Sequence, residues 1–383
     1  MSQESVRKEN HVLRSVTAIM MMFIAFAHYY SQFEIGDMEI LGWNLMSLGR
    51  FVIPVFVMIS GYFCFSKDGH AEATLKSKAA HILILIVIFK LVYLVFSSIL
   101  WVTGVLSPDH FVMDDNSWIR LTGVTGLDYI ITEFLTVSPN FYFDCYGGRI
   151  AIMSTQPIWF IYSLFLIYGL WYLLYSKRID FKWSLLLAVP IFLIAIVMVD
   201  ILPLFGVNEL FGIELDGGFG GILYPFTVLP FFVIGYYLHK YKEVIDERLS
   251  NPTIILLMVL GIVITAIEVY LRPGHYNSSI YLGLVLFSIS LFIGTFRVPD
   301  DRMRCSVLEY IGKYLTIWMY VFFAAANFII RYLFQPFADD LVVCEIVGPI
   351  VALILDIVMA YVFHLFMTSR AKKKTLAKQA QQA

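Results

Sequence analysis

Residues 79–104 read AAHILILIVIFKLVYLVFSSILWVTG, an almost continuous apolar run in which Lys90 is the one charged residue. A helix of about 20 mainly apolar residues can cross the hydrocarbon core of a bilayer. An open strand cannot, because its unpaired backbone groups would find no hydrogen-bond partner in lipid. The run therefore predicts a transmembrane helix.

Similar apolar segments recur along almost the whole chain, in which 60% of the residues are hydrophobic and 15% are charged. No polar stretch between them is long enough for a separate soluble domain. We therefore predict an all-α fold, a polytopic membrane helix bundle with about ten transmembrane helices. Residues 1–370 are expected to form the membrane domain and residues 371–383 a basic cytoplasmic tail. The predicted spans are 13–33, 50–66, 79–104, 156–176, 183–202, 220–239, 253–271, 279–296, 307–334 and 345–368.

The distribution of Lys and Arg predicts the orientation, because cytoplasmic loops are enriched in both. With the N-terminus inside, most of the 27 basic residues lie in cytoplasmic segments, and the opposite loops contain only Arg120, Arg149 and Arg272. We therefore expect both termini in the cytoplasm, the longest loop, about 105–155, outside, and the protein in the cell inner (plasma) membrane.

The net charge of −2 gives no support for nucleic-acid binding. The four cysteines lack the spacing of a metal site, so no metal is expected.

Two ionisable residues of the first predicted helix are candidates for chemistry. His28 lies near its outer end, and an imidazole has an unperturbed pKa suited to proton transfer near neutral pH. Arg14 lies fourteen residues earlier, about 40° from the same face and about 21 Å away along the axis. The two residues can line opposite ends of one passage. The simpler interpretations are a histidine that only bonds a neighbouring helix and an arginine that anchors the cytoplasmic end.

The second predicted helix begins with GRFVIPVFVMISGYF, residues 49–63. This segment resembles the acyltransferase 3 family of integral membrane acyltransferases, whose second helix reads approximately R-F-x-V-P-x-F-F-x-I-S-G-Y. The family's first helix contains an arginine or lysine and a downstream histidine. Segments 156–164, 230–237 and 309–314 are similar to the family's W-F-L, F-F-x-x-G-Y and I-G-K-Y segments, in the same order.

The chain departs from the family pattern at two places. The family's basic residue usually precedes its histidine by eleven positions, where this chain has Thr17 and places Arg14 fourteen residues before His28. The family commonly has a histidine shortly after I-G-K-Y, whereas residues 317–322 read IWMYVF. A different acceptor and an inactive relative both remain open.

The resemblance implies transfer of an acyl group, in most members acetyl, from cytoplasmic acyl-CoA to a hydroxyl of a surface or lipid-linked glycan, with acetyl-CoA as the expected donor. His28 is then expected to accept the hydroxyl proton, and Arg50 to hold the donor carbonyl oxygen or an acceptor group. Arg14 is expected to bind a CoA phosphate. Glu268 is expected to orient His28 or the sugar, with an interface residue beside Arg272 as the alternative.

Substrate-binding residues are expected at the outer side. Glu133 and Arg149 lie in the predicted outer loop, and Trp159 lies at the start of the following span, where an indole can stack on a sugar ring. Tryptophan is also common at membrane interfaces without any ligand. The expected partners are the glycan acceptor, acetyl-CoA and membrane lipids.

Two other functions stay open at the sequence level. A ten-helix bundle with ionisable residues inside its spans can also be a transporter or flippase, although no internal repeat relates residues 1–190 to 191–383. The missing late histidine also fits an inactive glycan-binding relative.

Overall fold

The computed structural model describes residues 11–30, 49–65, 71–103, 140–145, 148–153, 158–176, 183–202, 205–207, 209–210, 213–214, 228–271, 282–298, 305–334, 337 and 342–382.

Helices form most of the described chain, so the predicted all-α class is confirmed. In chain order the elements are α1 (His11–Tyr30), α2 (Val52–Tyr62), α3 (Ala71–Val102), β1 (Asn140–Cys145), β2 (Gly148–Met153), α4 (Ile158–Ser176), α5 (Trp183–Ala195), β3 (Glu209–Leu210), β4 (Ile213–Glu214), α6 (Leu229–Lys240), α7 (Lys242–Arg248), α8 (Asn251–Tyr270), α9 (Leu282–Arg297), α10 (Ser306–Tyr310), α11 (Thr316–Phe334) and α12 (Gly348–Gln382). Three π-helical segments continue α5, join α10 to α11 and precede α12, at Ile196–Ile201, Ile311–Leu315 and Val342–Val347.

Each of the ten predicted spans overlaps a helix of the described chain. Five helical stretches are long and apolar enough to cross a membrane, and the protein is a multi-pass membrane protein. The full number of ten spans stays a prediction, because the other apolar helices are shorter. The five stretches within the described residues are His11–Tyr29, Leu75–Leu100, Asn251–Tyr270, Ser306–Phe334 and Gly348–Arg370.

Two short antiparallel hairpins add to the helices. β1 pairs with β2 from Asn140 opposite Met153 to Cys145 opposite Gly148, and β3 pairs with β4. The sequence analysis did not predict them, because a hairpin needs only a few residues on each side of a tight turn. The first hairpin lies in the predicted outer loop.

The predicted tail begins inside a continuous helix, since α12 runs on to Gln382.

The bundle joins early and late parts of the chain. α1 packs against α10, α11, α12 and the π segment Ile311–Leu315, while α2 packs against α6 and α9. α3 packs against α4, and α8 packs against α9. The central core contains side chains from α1, α2, α6 and α11, including Met20, Met21, Met58, Phe232 and Met319.

Two glycines allow α2 and α6 to touch backbone to backbone. A methyl group at Gly61 would overlap the carbonyl of Phe232, and one at Gly235 would overlap the carbonyl of Met58. Small residues permit this kind of close helix approach in membranes. These glycines belong to the I-S-G-Y and F-F-x-x-G-Y segments, so two of the recognised motifs form one helix crossing.

We expect Gly61→Ala to destabilise the folded protein by about 1–3 kcal/mol, because the added methyl group must push the two backbones apart. Gly169→Ala is the matched control, since nothing lies within 4 Å of a Cβ added at Gly169. Thermal unfolding in detergent measures both variants. Equal midpoints for the two would show that the α2–α6 crossing is not close-packed in solution.

The predicted orientation can be measured by labelling cysteines introduced into a variant without native cysteines. We expect Asp115→Cys, in the predicted outer loop, to react with a membrane-impermeant maleimide in intact cells. Lys67→Cys, in a predicted cytoplasmic loop, should react only after permeabilisation. The reverse pattern would invert the topology and with it the side on which each site residue lies.

Candidate functional site

Several helix ends meet at the end of the bundle where α1 finishes, which we call the His28 end. Gly49, just before α2, lies against α1, because a Cβ there would be 3.3 Å from the Phe23 ring and 3.7 Å from the Cβ of Ala27. Gly348, at the start of α12, lies against the hydroxyl of Tyr29. Residues far apart in sequence therefore surround the last turns of α1.

His28 and Arg50 are brought together at this end. Both side chains are half-buried, and the charge of Arg50 interacts electrostatically with the His28 imidazole. The His28 ring also packs against Phe323 of α11, with 5.0 Å between ring centroids. Two residues selected from separate sequence motifs thus lie near enough for the charge of Arg50 to act on His28.

The segment that contains Arg50 is held on two sides. The Phe51 ring packs edge-on against Phe287 of α9 at 5.0 Å and lies 6.0 Å from Phe23 of α1. The Ser288 hydroxyl donates a hydrogen bond to the Phe51 carbonyl at 3.4 Å. Pro54 occupies the first turn of α2, where the N–H that proline lacks has no helical partner to lose. The start of α2, and with it Arg50, is therefore fixed relative to α1.

Arg14 lies at the other end of the same continuous helix, about 21 Å from His28 along its axis. There the π segment Ile311–Leu315 packs so closely that a methyl group at Gly312 would overlap the Arg14 carbonyl. Nearby, Nδ1 of His11 and a carboxylate oxygen of Glu309 form a hydrogen bond at 2.8 Å. The I-G-K-Y segment thus packs directly against the backbone of α1 at Arg14.

Comparison with known proteins identifies the family. The chain matches the family model Acyl_transf_3, described as an acyltransferase domain, over residues 10–368. The chain belongs to the acyltransferase 3 family. No curated protein and no solved structure matches this acyltransferase.

Family membership assigns the general function, that of a membrane acyltransferase. A transporter or flippase is set aside by this assignment. The matched region contains His28, Arg50 and Arg14, the residues selected for the resemblance. Their individual roles are predictions.

Glu268 has a structural contact in the acyltransferase. Its two carboxylate oxygens accept hydrogen bonds from the backbone N–H groups of Leu282 at 3.1 Å and Gly283 at 3.0 Å. These N–H groups open α9 and have no partner within that helix, and a negative charge there is favourable. α8 packs on α9 rather than on α1. The catalytic role of Glu268 stays a prediction beside this structural one.

Replacing Glu268 separates the two roles. We expect Glu268→Ala to lower the free energy of unfolding by about 0.5–2 kcal/mol, the usual effect of losing a helix N-terminal cap. Turnover per folded molecule should change little, because α8 packs on α9 and is not among the helices that surround His28. A large fall in turnover with an unchanged unfolding midpoint would instead support the catalytic role.

The structure describes only part of the three predicted glycan contacts. Glu133 lies outside the described residues. Arg149 lies in β2 opposite Asp144, and Trp159 lies in the first turn of α4. For the latter two the structure describes the backbone and not the side chain, so all three contacts stay predictions. Among the described residues, no group of three His, Cys, Asp or Glu side chains could hold a metal ion.

Arg331 is a further residue at the His28 end that was not among the predicted site residues. This residue of α11 is 3% exposed, and its guanidinium lies over the ring of Tyr29 at 4.7 Å from the ring centroid. Tyr29 directly follows His28 and is itself 1% exposed. A charged residue within an apolar span was the available signal, but the sequence does not show which helix it faces.

Proposed function

We propose that this membrane acyltransferase transfers an acetyl group from cytoplasmic acetyl-CoA to a hydroxyl of a surface or lipid-linked glycan. The observation that carries the proposal is the electrostatic interaction of Arg50 with His28 at one end of a helix that has Arg14 at its other end. Both groups needed for acyl transfer to a hydroxyl, a base and a cation, then lie together at the acceptor side.

The reaction can be written with these residues. The acceptor hydroxyl oxygen attacks the thioester carbonyl carbon, and His28 accepts the hydroxyl proton. Arg50 donates hydrogen bonds to the carbonyl oxygen as that oxygen gains negative charge. The C–S bond then breaks, and the departing CoA sulfur takes the proton from His28. The products are the acetyl ester and CoA, and His28 returns to its starting state.

Arg14 fits the donor end of the proposal. A guanidinium can form two parallel hydrogen bonds to a phosphate, and CoA carries phosphates at the end remote from its thioester. A donor bound at Arg14 from the cytoplasm would have to extend its thioester along α1 toward His28. Glu133, Arg149 and Trp159 are proposed to contact the glycan. The plasma membrane is the proposed location, since the acceptor is a surface glycan.

The proposal can be tested in the host cell and in membranes. Deleting the gene should remove acetyl-sized mass units from a surface glycan, and the wild-type gene should restore them, whereas His28→Ala should not. Membrane vesicles with the wild-type protein should transfer label from acetyl-CoA to that glycan. An unchanged glycan profile, together with no label transfer, would favour an inactive glycan-binding relative.

A further inference from the structure

The last turn of α1 is confined by two late helices. The Arg331 guanidinium lies over one face of the Tyr29 ring at 4.7 Å from its centroid. On the α12 side, the Tyr29 hydroxyl fills the space that a side chain at Gly348 would occupy. The ring is 1% exposed and Arg331 is 3% exposed. Tyr29 therefore has little room to move.

Arg331 belongs to a row of contacts between α11 and α1. Phe323, Asn327 and Arg331 are four residues apart and so lie along one side of α11. Phe323 touches the His28 ring at 5.0 Å between centroids. Asn327 is 2% exposed and donates a hydrogen bond from Nδ2 to the Ala25 carbonyl at 3.4 Å. Arg331 makes the outermost contact of the row.

This row determines where the last turn of α1 can lie. His28 and Tyr29 are neighbours on that turn, so a rotation of α1 that displaced the Tyr29 ring would also turn the imidazole. The guanidinium of Arg331 contacts the ring of Tyr29, the neighbour of His28. Arg331 is therefore expected to act on His28 through the position of Tyr29.

We propose that Arg331 is a positioning residue for acyl transfer, which fixes the Tyr29 ring and thereby the direction of the His28 imidazole. The inference rests on the proposed function, in which His28 accepts the hydroxyl proton. Misplacing a reacting group by about 1 Å can lower a rate by about 10²-fold, so a positioning residue can have a large effect without touching the substrate.

The test compares variants with detergent-purified protein and labelled acetyl-CoA. Arg331→Met keeps the length of the side chain and removes the cation, and should lower kcat by about 10- to 100-fold with an unchanged KM for acetyl-CoA. Tyr29→Leu removes the ring and should have the same effect. Tyr29→Phe keeps the ring and should retain most of the activity.

Arg370→Met is the matched control, because Arg370 also stacks on an aromatic ring, that of Phe366 at 4.2 Å, far along α12 from the His28 end. It should keep wild-type kcat. The double variant should also lower the unfolding midpoint by less than the sum of the shifts caused by Arg331→Met and Tyr29→Leu, since the two residues share one contact. This second measurement does not depend on any catalytic activity.

Each outcome has a separate meaning. Wild-type kcat in Arg331→Met, a change confined to KM, or shifts in unfolding midpoint that simply add in the double variant would overturn the positioning role. A wild-type protein without acetyl transfer, or an active His28→Ala variant, would overturn the proposed function instead. Loss of kcat in both Arg331→Met and Tyr29→Leu, with activity kept in Tyr29→Phe and Arg370→Met, would support the inference.

Discussion

Replacing His28 by alanine should lower the rate of acetyl transfer by about 10²- to 10⁴-fold, the usual effect of removing a general base. The folded structure should persist, because His28 is half-buried and the smaller side chain leaves the backbone of α1 unchanged. Transfer of label from acetyl-CoA to the glycan measures the rate. Gel filtration and thermal unfolding in detergent measure the fold.

His364→Ala is the matched control for this variant. His364 lies in α12 and, like His28, packs near aromatic rings, those of Tyr314 at 5.3 Å and Tyr310 at 6.3 Å. It is not part of the His28 end and should keep wild-type transfer. Near-normal glycan acetylation by His28→Ala would show that the proton goes to another group.

Arg50→Lys should impair transfer strongly, whereas Arg14→Lys should keep measurable activity. Removing one donor to a developing oxyanion costs about 10²- to 10³-fold in kcat, and lysine lacks the planar fork of arginine. Arg50 interacts with His28 and is held by the contacts of Phe51, so a shorter, differently shaped cation cannot take its place. Arg14 is expected at the cytoplasmic interface, where water and lipid headgroups can replace part of its contacts.

Both lysine variants keep their charge, so each serves as a control for the other at equal protein level. The KM for acetyl-CoA is the second measurement, and it should rise for Arg14→Lys more than for Arg50→Lys. Equal activities, or a greater loss for Arg14→Lys, would show that binding of the donor phosphate limits the reaction and that Arg50 is not beside the reacting groups.

The sequence predicted the helical class, the positions of the helices and the family. Long apolar runs leave few other structures for a chain in lipid, and the motif at residues 49–63 is specific. The predicted topology also puts His28 and Arg50 at the same side of the membrane, because one span ends and the next begins there, whereas their joint role in catalysis stays a prediction. The structure adds the reason for the motif glycines, since Gly61 and Gly312 are sites of backbone contact.

Contacts between helices far apart in the chain could not be predicted from the sequence. Apolar helices show no clear face toward the core, because lipid and core side chains are equally apolar. Nothing in the sequence therefore linked Arg331 to Tyr29, or the Glu268 carboxylate to the first N–H groups of α9. Both residues were visible as charges inside or near a span, and their partners could be identified only from the fold.

The packing of α1 on α10, α11 and α12 has a consequence for synthesis of the protein. The Asn327 to Ala25 hydrogen bond spans 302 residues, and the His11 to Glu309 hydrogen bond spans 298. α1 therefore enters the membrane long before its partners have been translated, and contacts of such long range form late in folding. A ribosome that stops before α11 leaves a chain that contains His28 and Arg50 but lacks Phe323, Arg331 and Gly348. Such a nascent chain lacks the residues that pack around the end of α1 at His28, so the site becomes complete only after α11 and the start of α12 have been translated.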